Sequence, residues 1–359
     1  MYIDINTKES EYKVVIERGC ISRTGEMFNT DRKCLIVTDD GVPAGYAETV
    51  ASECSRPLIM TVPQGEGSKS TEWLERLLLM MLKEGFTRSD CVIAVGGGMA
   101  GDLAGFAAAI YMRGIDFYNI PTTLLSQADS SIGGKTAINL GGVKNIAGVF
   151  RQPGMVLIDT ELLDTLPEDQ MLSGFAEIIK AGMIADADLF GYIEKTVLGD
   201  NDADPGSIMK KISIERVLEA ALRVKKVVVE EDECEAGIRR ILNYGHTIGH
   251  GIESVTGMLH GWCVAVGMIP MCSPEARNRL VPVLSRLGFP LRIDCDHEAV
   301  FRSMIHDKKM ENGEINAVFA EEPGNAVIKR MTPEELRGRL HYITGDRDEI
   351  RTDREETGT

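Results

Sequence analysis

The segment Cys91–Asp102, CVIAVGGGMAGD, constrains this chain more than any other. Its first five residues are apolar and three are β-branched, so they form a short strand with no polar face, of the kind buried on both sides in a parallel sheet. The strand runs directly into Gly96-Gly97-Gly98, and the residues that follow open a helix. Strand, glycine turn and helix make one βα unit, and the neighbouring segments repeat the alternation. Lys13–Glu17 and Cys34–Thr38 are short β-branched runs, and Phe117–Ile120 is a further strand before Pro121. Residues 70–84 place Trp73, Leu74, Leu77, Leu78, Met81 and Leu82 on one face of a helix, with Ser68 or Ser70 as its cap. Together these predict an α/β domain with a mostly parallel sheet.

From about Pro167 the texture changes. Residues 168–196, 206–231, 240–256, 261–286 and 297–305 carry helical spacing with few strand runs between them, and residues 199–206 (GDNDADPG) form a loop. The boundary is expected near residues 155–165, which gives an α/β domain over 1–160 and a helical domain over 161–345. The charged tail from 346 to 359 lacks an apolar face and is expected to be disordered. Two domains suit 359 residues, and no internal repeat is visible.

Composition excludes several functions. A net charge of -16 argues against general nucleic-acid binding, which needs a basic surface. No run reaches the roughly 18 apolar residues of a membrane span; the most apolar stretch, Cys91–Ile110, is broken by five glycines and Asp102. The amino terminus shows no secretory signal pattern. Eight scattered cysteines without a C-x-x-C pair suggest free thiols and a cytoplasmic location.

The glycine loop satisfies G-x-G-x-x-G through Gly96, Gly98 and Gly101. Such a loop lets backbone N–H groups and a helix N-terminus approach a phosphate, but a tight strand-to-helix turn satisfies the same pattern. It does not lie in the first βα unit, where the standard Rossmann fingerprint sits. Asp39, at the end of a strand, either bonds a ribose hydroxyl pair, favouring NAD over NADP, or forms an Asx-turn.

Three of the six histidines, His246, His250 and His260, fall within fifteen residues. His246 and His250 are four apart on a helix and share a face, which suits a zinc site with a third ligand from elsewhere; ordinary buried histidines are the alternative. The flanking Gly245, Gly249 and Gly251 are costly in a helix unless something approaches the backbone closely. Glu177 and Lys180, three apart in GFAEIIKAG, are either a surface ion pair or a buried functional pair. The apolar residues around them favour the second. Asp129 opens a glycine turn that ends in Lys135, without the spacing of an ATPase P-loop. Lys144-Asn145, Arg113, Lys225 and Arg239 are ordinary surface charges or the cationic side of an anion site.

Seven blocks then occur in order: GGGMAGDLAGF, YMRG, PTTLLSQADSSIGGKTAIN, KNIAG, FAEIIKAG, LNYGHTIGH and HDKK. Together they resemble the dehydroquinate synthases over about residues 30–320, and GGKTAIN is more similar to these than to the related cyclases that make deoxy-scyllo-inosose or valiolone precursors. The resemblance implies a Rossmann-like α/β NAD-binding domain followed by an all-α metal- and substrate-binding domain. It implies that Glu177, His246 and His260 bind the metal, zinc or cobalt, and it moves His250 from the metal to the substrate phosphate. Asn243, Lys135, Asn145 and Lys309 would join His250 there, with Arg113 reaching across from a partner subunit in a homodimer. Lys225 and Arg239 would hold the substrate carboxylate, and Asp129 and Lys180 would line the reacting centre. NAD would be held by Asp39, Gly97, Gly98, Asp102, Thr122 and Thr123, with Glu66, Lys69, Lys135, Lys144 and Thr165 nearby.

The implied activity converts 3-deoxy-D-arabino-heptulosonate 7-phosphate to 3-dehydroquinate and phosphate. It proceeds by transient oxidation with NAD, phosphate elimination, reduction and an intramolecular aldol step, with no net redox change. The family reads H-G-E after the last imidazole, whereas this chain reads His260-Gly261-Trp262. That departure implies the loss of a carboxylate that orients the ligands, at a cost of about 10–100-fold. Competing expectations are a related sugar-phosphate cyclase, a metal-dependent polyol dehydrogenase such as a glycerol dehydrogenase, and an inactive NAD-binding regulatory protein.

Overall fold

Strands that are apolar on both faces need a core on each side, and the first half of the chain builds both. The computed structural model describes residues 1–200, 202–307 and 313–344. Lys309 and the 346–359 tail lie outside the described residues. Seven strands form one sheet: β1 (Tyr2–Asn6), β2 (Glu11–Ile16), β3 (Lys33–Asp39), β4 (Arg56–Val62), β5 (Cys91–Gly96), β6 (Asp116–Pro121) and β9 (Met155–Ile158). A separate antiparallel hairpin, β7 (Lys135–Leu140) with β8 (Val143–Phe150), precedes β9. The sheet order is β1-β2-β9-β6-β5-β3-β4. Only the β1–β2 pair is antiparallel.

The helices of this half are α1 (Thr24–Met27), α2 (Ala44–Ser52), α3 (Thr71–Lys83) and α4 (Gly98–Ile110). Successive strand residues alternate between the two faces. Leu35, Val37, Val92 and Ala94 join α3 and α4 in one core, while Cys34, Ile36, Cys91 and Ile93 join α2 in the other. Each fully buried Val, Ile or Leu contributes about 1.5–3 kcal/mol. Ser70 caps α3 by accepting from Trp73 N, which settles the choice between the two candidate caps.

The remaining helices are α5 (Glu168–Ala185), α6 (Ala187–Leu198), α7 (Pro205–Met209), α8 (Ile214–Glu231), α9 (His246–Thr256), α10 (His260–Met268), α11 (Pro274–Leu287), α12 (His297–Asp307) and α13 (Pro333–Arg339). Several are shorter than their spacing suggests. The run expected over 168–196 breaks at Asp186, whose carboxylate accepts from Leu189 N at 2.8 Å and starts α6 as a new helix. The run over 261–286 breaks after Met268, where a single 3-10 turn carries Pro270 and Ser273 caps α11. Apolar periodicity continues across such breaks, whereas caps and prolines fix the ends.

The second half also contains β10 (Ile315–Glu322) paired with β11 (Asn325–Met331), a hairpin that the helical texture did not announce. The chain separates into two compact units. One holds Met1–Ile178 and Ser213–Arg239; the other holds Ile179–Ile212 and the described residues from Arg240 onward. The division falls inside α5, and α8 belongs with the sheet. The eight cysteines form no disulfide among the described residues. No helix among the described residues is long and apolar enough to cross a membrane.

Candidate active site

In the first unit the chain runs from β3 outward to β4, then returns to place β5 on the other side of β3. The carboxyl ends of β3 and β5 therefore flank a topological switch point, where open α/β sheets bind their ligands. A cleft of about 440 Å³ opens beside it, at the carboxyl ends of β3 and β4, lined by Thr38, Asp39, Gly41, Val42 and Thr61 among others. Asp39 makes the Asx-turn, one of the two roles expected of it. Its Oδ1 accepts from Gly41 N at 3.0 Å, an Asx-turn, and its Oδ2 lies 3.3 Å from where a Cβ on Gly96 would stand. Burial raises the Asp39 carboxyl above its ordinary value.

The glycine loop passes directly beneath this point. A Cβ on Gly96 would lie 2.6 Å from the Ala100 side chain, one on Gly97 3.2 Å from Thr123, and one on Gly98 3.0 Å from Ser130 Oγ. Gly97 caps α4 from an extended conformation, so the first N–H groups of α4 have no side-chain cap and are available to a phosphate. Thr122 is buried and donates its N–H to Gly96 O. The Thr123 hydroxyl lies 2.8 Å from that of Ser126. Ser130 Oγ is buried without a hydrogen-bond partner among the described residues. These residues fit a dinucleotide phosphate.

One turn into α4, Asp102 meets Lys69. The buried Lys69 ammonium donates to Asp102 Oδ2 at 2.6 Å and also to Asn145 Oδ1, with Glu66 at 3.7 Å. Asn139 ties the group together, donating to Glu66 and accepting from Asn145 N at 2.9 Å. Burial pushes the Asp102 carboxyl up to about 6, against the pull of Lys69. Asn145 holds a positive φ of 54°. Lys144, beside it, is exposed. Thr165 lies against α2, its hydroxyl 2.8 Å from that of Tyr46.

The structure brings Asp129 and Lys225 together. The Lys225 ammonium, on α8, donates to the Asp129 carbonyl at 2.5 Å and to its carboxylate at 2.6 Å. Arg239 is buried, with Nη2 donating to Gly133 O at 2.9 Å and Nη1 to Glu233 O. Its Nε is buried without a hydrogen-bond partner among the described residues. Gly133 allows this approach, since a Cβ there would sit 2.4 Å from Arg239 Nη2. Lys135 is half exposed and pairs with Glu235 at 2.5 Å. Arg113 is exposed after α4, where Met112 and Arg113 both hold positive φ. Glu177 is buried, as the apolar residues around it predicted.

In the second unit Lys180 is likewise buried, and Asn243 ends the 3-10 turn before α9. The ligating nitrogens of His246, His250 and His260 all lie within 4.8 Å of one another. His250 therefore belongs to the imidazole cluster in this unit, as the helix-face spacing indicated. His246 Nδ1 lies 3.1 Å from Tyr244 O. A carbonyl can only accept, so Nδ1 carries the proton and Nε2 the lone pair. His260 Nδ1 lies 2.8 Å from Glu253 Oε2, which assigns the same tautomer. Three imidazoles this close, two of them oriented through Nδ1, fit a zinc or cobalt ion.

The glycines of this region serve helix packing. A Cβ on Gly249 would lie 2.9 Å from Cys263 O, and one on Gly267 2.1 Å from Gly245 O, so α9 and α10 touch backbone to backbone. Gly251 makes room for Val300 and Met304 of α12. The approach that the sequence demanded comes from neighbouring helices. Glu253, Glu235 and Asn139 were not anticipated. Glu253 alone carried a signal, lying seven residues after His246 and three after His250 on one helical face.

Comparison with known proteins gives the family and the fold. A family model described as 3-dehydroquinate synthase N-terminal matches residues 59–173, and one described as 3-dehydroquinate synthase C-terminal matches residues 174–310. A 3-dehydroquinate synthase of Streptococcus sanguinis is 36% identical over 357 residues, covering 94% of this chain and 99% of that protein. One of Streptococcus suis is 36% identical over 356 residues, covering 94% and 98%. Among solved structures, a 2-deoxy-scyllo-inosose synthase complexed with carbaglucose-6-phosphate, NAD+ and Co2+ has the same fold. Its TM-score is 0.82 at 23% identity, covering 95% of this chain and 99% of that one. A 2-epi-5-epi-valiolone synthase from Streptomyces hygroscopicus with NAD+ and Zn2+ bound gives 0.81 at 25%, covering 94% and 98%. A glycerol dehydrogenase from Schizosaccharomyces pombe gives 0.63 at 16%, covering 96% and 90%.

Proposed function

The chain belongs to the 3-dehydroquinate synthase family, and on that premise we propose how its side chains divide the conversion of 3-deoxy-D-arabino-heptulosonate 7-phosphate to 3-dehydroquinate and phosphate. The observation that carries the reading is the cluster of three imidazoles, two of them oriented through Nδ1 by fixed acceptors. When bound, NAD supplies reversible hydride transfer and the divalent cation supplies a Lewis acid beside the reacting oxygens.

His246 and His260 hold the cation in this reading, and the ligand role of Glu177 rests on its motif. His250, third in the cluster, faces the substrate phosphate with Asn243. Lys135, Asn145, Arg113 and Lys309 are the further phosphate contacts that the motifs imply. The exposed ammonium of Lys135 suits this, since its partner Glu235 can release it to a stronger anion. Lys225 and Arg239 take the carboxylate. The buried Arg239 Nε, lacking a partner among the described residues, supports that role. Asp129 and Lys180 line the reacting centre, where Asp129 fixes the position of the Lys225 ammonium.

NAD lies over the switch point in this reading. Asp39 Oδ2 accepts from ribose hydroxyls, and Gly97 and Gly98 present the start of α4 to the phosphates. Asp102, Lys69, Glu66, Thr122, Thr123, Lys144 and Thr165 complete its surroundings. A cytoplasmic homodimer completes the proposal. Its support is the β7–β8 hairpin, which exposes Leu140, Val143, Ile146, Val149 and Phe150, and the left-handed Met112-Arg113 pair at the surface.

The test is release of inorganic phosphate from the heptulosonate phosphate with NAD and zinc present, while absorbance at the NADH band is followed. Phosphate release equal to dehydroquinate formed, with no lasting NADH, is expected. NADH accumulation on a polyol without phosphate release would mark a dehydrogenase. A carbocycle of different mass from another heptulose phosphate would mark a related cyclase.

A further inference from the structure

We infer that Glu253 is the positioning residue of the imidazole cluster, holding His260 in the tautomer and orientation that make it a cation ligand. The inference rests on the reading of His246 and His260 as ligands. His246, His250 and Glu253 stand at i, i+4 and i+7 of α9 and share one face. His260 is the first residue of α10, and its N-cap Leu259 makes no side-chain bond. The torsion that turns an imidazole ring is broad and roughly two-fold, so a ring at that position needs a partner to choose its orientation. Glu253 Oε2 provides one at 2.8 Å from Nδ1.

The two rings are treated differently. His246 gives its Nδ1 proton to the backbone carbonyl of Tyr244, a neutral acceptor fixed by the chain. His260 gives its proton to a carboxylate, which raises the basicity of the other nitrogen more strongly than a carbonyl does. The nearest alternative by sequence cannot take over. Trp262, two residues after His260, carries a donor only, and its Nε1 is buried with no partner among the described residues. The carboxylate that meets His260 comes from the neighbouring helix, and α9 and α10 are close enough for this because Gly249 and Gly267 remove two side chains between them.

The experiment compares zinc affinity, by competition with a chromophoric chelator, and the visible absorption of the cobalt-loaded protein in the wild type, E253Q, E253A and H260A. E253A should lose about 100-fold in zinc affinity and E253Q, whose amide oxygen still accepts, about 10-fold. Both should show shifted cobalt bands, and thermal unfolding of both without metal should match the wild type. Wild-type affinity and an unchanged cobalt spectrum in E253A, with zinc binding lost in H260A, would overturn the role of Glu253 and leave the metal reading intact. Equal zinc binding by H260A and the wild type would overturn the ligand assignment, and this inference with it. If E253A fails to fold, wild-type zinc affinity in E253Q overturns the inference.

Discussion

Replacing Gly267 with alanine tests whether backbone contact between α9 and α10 holds the imidazole cluster together. A Cβ at Gly267 would stand 2.1 Å from Gly245 O and 2.8 Å from Gly249 N. Carbon and oxygen settle at roughly 3.2–3.6 Å even in their closest favourable contacts, so the helices must separate by about 1 Å. Both obstacles are backbone atoms, and neither can rotate away as a side chain would. Overpacking of this kind costs about 1–3 kcal/mol and more where relief is blocked; the gain from replacing helical glycine by alanine is about 1 kcal/mol. With both obstacles in the backbone, we expect the upper part of that range, a net loss of about 1–2 kcal/mol, which for a unit of this size is a fall of roughly 2–8 °C in Tm. The same shift moves His246 relative to His260 by more than the roughly 0.5 Å that a binding site tolerates, so zinc affinity should fall with stability. Gly191, inside α6 with nothing within 4 Å of its Cβ position, is the control: G191A should gain up to about 1 kcal/mol. Thermal unfolding and zinc competition on both variants read the outcome. If G267A is as stable as the wild type, or gains as G191A does, the close-packed helix pair is not what builds the site.

Other measurements probe the rest. Asp102 has a folded value of about 6 against an ordinary 3.8, so the native state holds more protons than the unfolded chain between those values. Its stabilising contribution is present below about pH 4 and disappears as pH rises through about 6. A difference of about 2 on the pH scale corresponds to roughly 3 kcal/mol. Urea unfolding of D102N at pH 4.5 and 7.5 should show a smaller fall with rising pH than the wild type, and equal slopes would refute the burial argument. K225A removes the partner of Asp129 and should weaken substrate binding at least 100-fold while changing NAD binding less than 3-fold, from the roughly 3–5 kcal/mol at stake when one member of a buried pair is removed; calorimetry showing equal losses would rule out its role. A strong chelator should abolish turnover, with zinc or cobalt restoring it, and undiminished activity in metal-free protein would exclude the Lewis acid.

Local signals settled much of this protein. The βα alternation, the glycine loop, the cap at Ser70 and the burial of Glu177 and Lys180 all depend on neighbours within a few residues, where period and propensity act directly. The ordered motifs carried the family. Folding in three dimensions decided the rest. It chose which strand pair forms the switch point, so that Asp39 meets Gly96 across 57 residues of chain. It also joined Lys69 to Asp102 and Asn145, paired Lys225 with Asp129, and drew α10 onto α9 so that Glu253 reaches His260. Apart from Glu253 and His260, which stand seven residues apart but on different helices, these contacts link residues far apart in sequence. No short window contains both partners of those distant pairs, so no local pattern records them.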